Sequence, residues 1–84
     1  MKPLRFTDHA EVWLLRRGLQ RAWIENAARD PEWREPEPRD PGVERRFRRI
    51  AEAGGRVIRV VCAETDAEIR VIIAMLDRSA KAKP

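Results

Sequence analysis

Four of the chain's six prolines fall between Pro31 and Pro41. No helix runs through such a segment, because each proline lacks an amide donor and its ring clashes with the preceding turn. It divides the chain into an N-terminal part with helical apolar spacing and a C-terminal part with strand alternation. The same stretch holds Glu32, Glu35, Glu37 and Asp40. It reads as an edge strand or extended loop around Trp33, closed by a turn at Arg39-Asp40-Pro41-Gly42.

Upstream, Asp8 is placed to cap a helix, with Glu11 three residues on completing a capping-box pattern. Ala10, Trp13 and Leu14 follow helical spacing, Val12, Leu15 and Leu19 widen the apolar face, and Gly18 is suited to a left-handed C-terminal cap. A second helix is expected from about Gln20 to Arg29, with Trp23, Ile24, Ala27 and Ala28 on its apolar side and Asp30-Pro31 ending it. Together these two form a helical hairpin.

Downstream, Val43–Ala53 reads as a strand carrying Arg45, Arg46, Phe47, Arg48 and Arg49. Gly54-Gly55 is a hairpin turn, and Arg56–Ala63 a β-branched strand. Thr65-Asp66-Ala67 marks another turn. Ile69–Leu76, the most apolar segment, reads as a central strand covered on both faces. From Asp77 to Pro84 the chain is polar and reads as a frayed end. The expectation is one domain over residues 1–84, with its core at about 6–78 and a polar tail at 79–84. Its class is α+β: an N-terminal helical hairpin followed by a three- to four-stranded antiparallel sheet.

Charged residues make up 38% of the sequence and hydrophobic residues 43%, which suits a folded domain rather than a disordered tail. The net charge is +4, and fifteen of the eighteen basic residues are arginine. Arginine's planar fork of donors matches phosphate oxygens, so nucleic acid is a natural partner. A GC-rich genome enriches arginine equally well with no functional cause. The single cysteine, Cys62, excludes an internal disulfide and lies in an apolar run, as a buried and inert thiol does. No apolar run is long enough to cross a membrane, and the N-terminus shows no signal-peptide core, so the expected location is the cytoplasm.

Several of these residues resemble a small bacterial family, domain of unknown function 4258. Its pattern opens with a serine or aspartate followed by His-Ala, then an arginine, then Arg-Gly-Ile; here the matching residues are Asp8-His9-Ala10 and Arg17-Gly18-Leu19. The helix end at Asn26–Pro31, the basic strand with Phe47, and the run Arg56-Val57-Ile58-Arg59-Val60-Val61 continue the likeness, which covers about residues 6–78. The resemblance implies kinship with RelE/ParE/BrnT-like toxins: a RelE-like fold, RNA or the ribosome as target, and an antitoxin-like protein as partner. The chain departs from the pattern at three positions that are polar in the family and are Trp13, Ile73 and Met75 here.

Metal-independent cleavage of RNA needs a base for the 2′-hydroxyl, cations around the phosphorus and an acid for the leaving oxygen. His9 is the only histidine and the one side chain of a type that changes charge near neutral pH. His9 and Arg17 are therefore the candidate catalytic pair, and Arg46, Arg48 and Arg59 the candidate RNA contacts. There is no tyrosine and no second histidine to complete the proton transfer. Each residue also has a plain structural use. His9 can hydrogen-bond a loop carbonyl and Arg17 can cap a helix C-terminus. Arg45–Arg49 can be a solvated edge strand that resists edge-to-edge pairing. The three tryptophans can be core and hairpin packing. No cysteine/histidine cluster has zinc spacing, no glycine-rich phosphate loop follows a strand, and no cofactor is expected. The rival to RNA binding is a module that binds a partner protein or a second copy of itself.

Overall fold

A computed structural model describes residues 1–80. The order is β1 (Leu4–Phe6), α1 (Asp8–Arg17), α2 (Arg21–Arg29), β2 (Trp33–Pro36), β3 (Glu44–Ile50), a single 3-10 turn at Ala51–Ala53, β4 (Arg56–Glu64) and β5 (Ile69–Leu76). The class is α+β, as expected. The sheet, however, has five strands in the order β1-β5-β4-β3-β2, and it is mixed, because β1 pairs parallel to β5 while every other pair is antiparallel. The extra strand is only three residues long, too short to show any alternation.

Both helices lie against one face of this sheet. α1 packs on β5, and α2 packs across β4 and β3. The expected hairpin of helices packed on each other is corrected accordingly: the helices follow a strand, and each is held by the sheet. Their buried faces explain this, since Ala10, Ala27 and Ala28 let the backbones come close while Ile24 fills the space against Ile58, Val60, Cys62 and Val71. These buried side chains hold the fold together, each large one contributing roughly 1.5–3 kcal/mol on leaving water. Gly18, at φ +64°, ends α1 as expected, and Leu19 donates its amide back to Leu14 O.

The cap of α1 is Thr7, one residue earlier than expected. Its hydroxyl accepts from the Ala10 amide at 3.1 Å and donates to Ile72 O at 3.2 Å, and its own amide donates to Val71 O. Asp8 is thus the first helical residue and Glu11 falls outside the capping-box position. Tertiary contact with β5 decides this: Thr7 caps the helix and binds the sheet at once. The contact falls at a register shift, where Val61 faces Ile73 and Cys62 faces Val71, leaving Ile72 as the extra residue of a bulge.

Three strand expectations change. β4, with two strands on either side, is the central strand; β5 lies between β1 and β4, and its Arg70 is exposed rather than covered. β3 stops at Ile50, and Ala51–Ala53 coil into the 3-10 turn before Gly54 and Gly55, both at positive φ. β3 is also an interior strand, so the edge-strand reading of Arg45–Arg49 does not hold; the edges are β1 and β2, and of the two readings of the segment around Trp33, edge strand or extended loop, the structure has the strand. The Asp77 amide donates to Val57 O at 2.8 Å, and its carboxylate accepts from Ser79 and Ala80, so the expected frayed end is tied down at least through Ala80. Residues 81–84 of the expected tail lie outside the described residues. No helix among the described residues is long and apolar enough to cross a membrane.

Candidate nucleic-acid interface

His9 and Arg17 occupy one stripe of α1, joined through Trp13 at successive intervals of four residues. The Trp13 indole N–H donates to His9 Nε2, with the two rings edge-on at a centroid distance of 5.8 Å. The Arg17 guanidinium lies 3.9 Å above the Trp13 ring. His9 is exposed, and its partner is this indole rather than a loop carbonyl. Trp13 therefore works as a surface bridge. Trp23 instead packs against the core and donates to Glu52, while Trp33 stacks on Phe47 across β2 and β3, centroids 5.0 Å apart and planes 6° from parallel.

The three arginines expected to contact RNA do not gather around His9. Arg46 is 3% exposed. It donates to Ala28 O at the end of α2, to Glu44 and to Glu64. Burial works against its charge, but the hydrogen bonds to Glu64 and Glu44 outweigh it and hold its pKa above the usual arginine value. Glu64 answers in kind: hydrogen bonds from Lys2 and then Arg46 hold its carboxyl down at about 2. Arg46 is thus a tie between α2 and the sheet, with no donor group left facing solvent, which corrects its expected role. Arg48 is half-exposed and donates to Asp30 O at 2.7 Å just past α2. Arg59 faces the other side of the sheet, beside Met75, whose sulfur takes an Nη2 hydrogen bond, and Asp77 at 3.3 Å; its Nε has no partner.

The arginines fall into two sets. Arg5, Arg21, Arg29, Arg34, Arg45, Arg46, Arg48, Arg49 and Arg59 are each ion-paired to a carboxylate. Among the described residues Arg16, Arg17, Arg39, Arg56, Arg70 and Arg78 are in no ion pair. Three of these six, Arg17, Arg56 and Arg78, line one cleft of about 540 Å³ where the end of α1 meets the start of β4 and the end of β5. Its apolar lining on the helix side of the sheet is Leu76 beside the buried Leu19. Such a volume lies in the usual range for small-ligand sites.

Reading the sequence missed Arg56 and Arg78. The sequence carried no signal for this grouping, because it depends on register: β4 and β5 run antiparallel with Ile58 opposite Leu76, and Arg56 and Arg78, each two residues beyond that pair, line the same cleft. Arg17 belongs to both groupings, since it closes the α1 stripe and opens the cleft. Cys62 is fully buried and its pKa is raised to about 11, chiefly by burial, so it behaves as core. Among the described residues no cluster of histidine, cysteine or carboxylate side chains could hold a metal ion.

A family model described as Domain of unknown function (DUF4258) matches residues 6–75. No curated protein and no solved structure matches the chain.

Proposed function

The chain belongs to the DUF4258 family, and from that premise we propose that it is a cytoplasmic RNA-binding domain, toxin-related in the RelE-like sense and poor or inactive in cleavage. The observation that carries this reading is the sorting of the arginines. A surplus of cationic forks without carboxylate partners, three of them in one cleft, favours a polyanion with evenly spaced phosphates. The paired arginines are already neutralised and add little to such a field.

The residues around His9 argue against an efficient nuclease. Its Nε2 takes the Trp13 N–H, and the neighbouring positively charged group, Arg17, lies over the same indole. Ile73 and Met75, apolar where the family pattern is polar, supply no proton-transfer group, and Met75 lies with Arg59 on the sheet face away from the helices. An anisotropy titration with labelled RNA at low and moderate salt tests the reading. Binding that falls steeply with salt supports it, and absence of binding at low salt ends it. A parallel incubation of labelled RNA with the protein reads cleavage directly.

One observation favours the rival reading, a module for an antitoxin-like protein or a second copy of the chain. Val12 and Leu15 project from α1 with 46% and 76% of their surface exposed, more apolar exposure than a helix face otherwise needs. Light scattering on the purified chain, alone and with the product of a neighbouring reading frame, separates the two readings. A strictly monomeric chain that forms no complex would leave RNA binding alone standing.

A further inference from the structure

We propose that the cleft between α1, β4 and β5 is a nucleotide site, in which Arg17, Arg56 and Arg78 hold a phosphate of single-stranded RNA while the adjoining base lies over Leu76 and the edge of Leu19. The inference rests on the RNA-binding reading and names the part of the surface that does the binding, and on which form of RNA.

The charge balance of the cleft is the first support. Three guanidinium groups face one carboxylate, Asp77. That carboxylate is occupied elsewhere: it accepts from the Ser79 hydroxyl at 2.6 Å, the Ser79 amide at 2.9 Å and the Ala80 amide at 3.1 Å, and it pairs with Arg59 at 3.3 Å. None of the three cleft arginines forms an ion pair among the described residues, so an incoming anion displaces no internal partner. A lone carboxylate is satisfied by one bidentate arginine; three forks around one concavity suit the several oxygens of a phosphate.

Orientation is the second support. Arg17 is steadied by the face of Trp13, and Arg56 by the hydrogen bond from its Nε to Ala53 O at 3.0 Å. Both contacts leave the terminal Nη groups unpaired, so part of the ordering cost of binding is already met in the free protein. The apolar lining is the third. A phosphate alone gains nothing from Leu76 and the edge of Leu19, whereas a base beside the phosphate has an apolar face to set on them and guanidinium planes to stack against. In a duplex that base face is already covered by its neighbours, so the recessed lining selects a single strand.

The test uses the full chain with a short labelled oligouridylate and a duplex RNA of equal length. Arg56→Ala and Arg78→Ala should each lower the slope of log affinity against log salt by about 0.7, as for one phosphate contact on a single strand. The double variant should weaken binding by roughly tenfold, about 1.4 kcal/mol. Arg39→Ala, in the turn before β3, removes the same charge outside the cleft and should leave both readings unchanged. Circular dichroism of each variant checks the fold, and the exposed positions of Arg56 and Arg78 predict that it survives. Equal losses from Arg39→Ala and Arg56→Ala would overturn the site in favour of bulk charge. Duplex RNA that binds as tightly as the single strand would overturn the base-recognition half. If the wild-type chain binds no RNA, the RNA reading fails on its own, and amide shifts then decide the cleft. Movement of Gly18, Gly55 and Arg56 resonances on adding uridine monophosphate supports a nucleotide site, and no movement refutes it.

Discussion

The arginines of β3 and those of the cleft are the same residue type in two different chemical states. Every arginine of β3 has a carboxylate: Arg45 has Glu37, Arg46 has Glu44 and Glu64, Arg48 has Asp30, and Arg49 has Glu32. Three of those partners, Asp30, Glu32 and Glu37, come from the stretch that runs from the end of α2 through the proline-rich segment. A chain segment that cannot be helix lies along the sheet edge and delivers its acids to the adjacent basic strand. Arg17, Arg56 and Arg78 lie where the end of α1 meets the start of β4 and the end of β5, and the one carboxylate there, Asp77, is taken by Arg59, Ser79 and Ala80. A run of arginines in sequence is therefore the neutral region here, and arginines scattered through the sequence make the electropositive one.

Substitutions should separate the two sets, and the largest effect belongs to the paired set. Arg46→Ala removes the tie from β3 to α2, strands the Ala28 carbonyl and opens a gap under the helix. A loss of about 3 kcal/mol is expected, below the top of the range for broken buried pairs because Glu44 and Glu64 are partly exposed and keep Arg34 and Lys2. Urea denaturation measures it; a loss under about 0.5 kcal/mol, the level of an ordinary surface change, would erase the distinction drawn here.

The same network gives a pH signature. The folded protein holds the Glu64 carboxyl at about 2 against an ordinary 4.5. Its contribution is complete above the unfolded value and is lost as the pH falls from there toward 2. Thermal melts should show Glu64→Gln less stable than wild type at neutral pH, with the gap closing in that acid window. A gap that stays constant down to the acid limit would mean that Glu64 is not held by charge.

Smaller still is His9→Ala. One partly exposed hydrogen bond to Trp13 is lost, so the expected change is about 0.5–1 kcal/mol, and RNA affinity should stay within twofold of wild type. Cleavage of a defined RNA by wild type, absent in His9→Ala at unchanged stability, would reverse the view that this histidine is structural. At the bottom of the scale stand Arg56→Ala and Arg78→Ala, whose stability should lie within about 0.5 kcal/mol of wild type. A cost comparable to that of Arg46→Ala would place the cleft arginines in the structural set and remove the contrast.

Much of this molecule is written locally and was legible in the residues: the Gly18 stop of α1, the span and apolar face of α2, the extended proline-rich segment at Trp33, the Gly54-Gly55 turn and the buried Cys62. Each depends on a conformational preference or an apolar period within a few neighbouring residues. The family likeness was also in the sequence, through His9-Ala10 and Arg17-Gly18. Only the tertiary structure decided the rest, because it concerns pairings between distant parts of the chain. β1 exists because Leu4–Phe6 find β5 sixty-five residues away. Thr7 displaces Asp8 as the cap because the bulge at Ile72 presents a carbonyl to it. Arg46 becomes a core tie and Arg56 a free cation according to which carboxylates the fold carries past them, and a side chain's partners across a sheet are set by register, which no local pattern records.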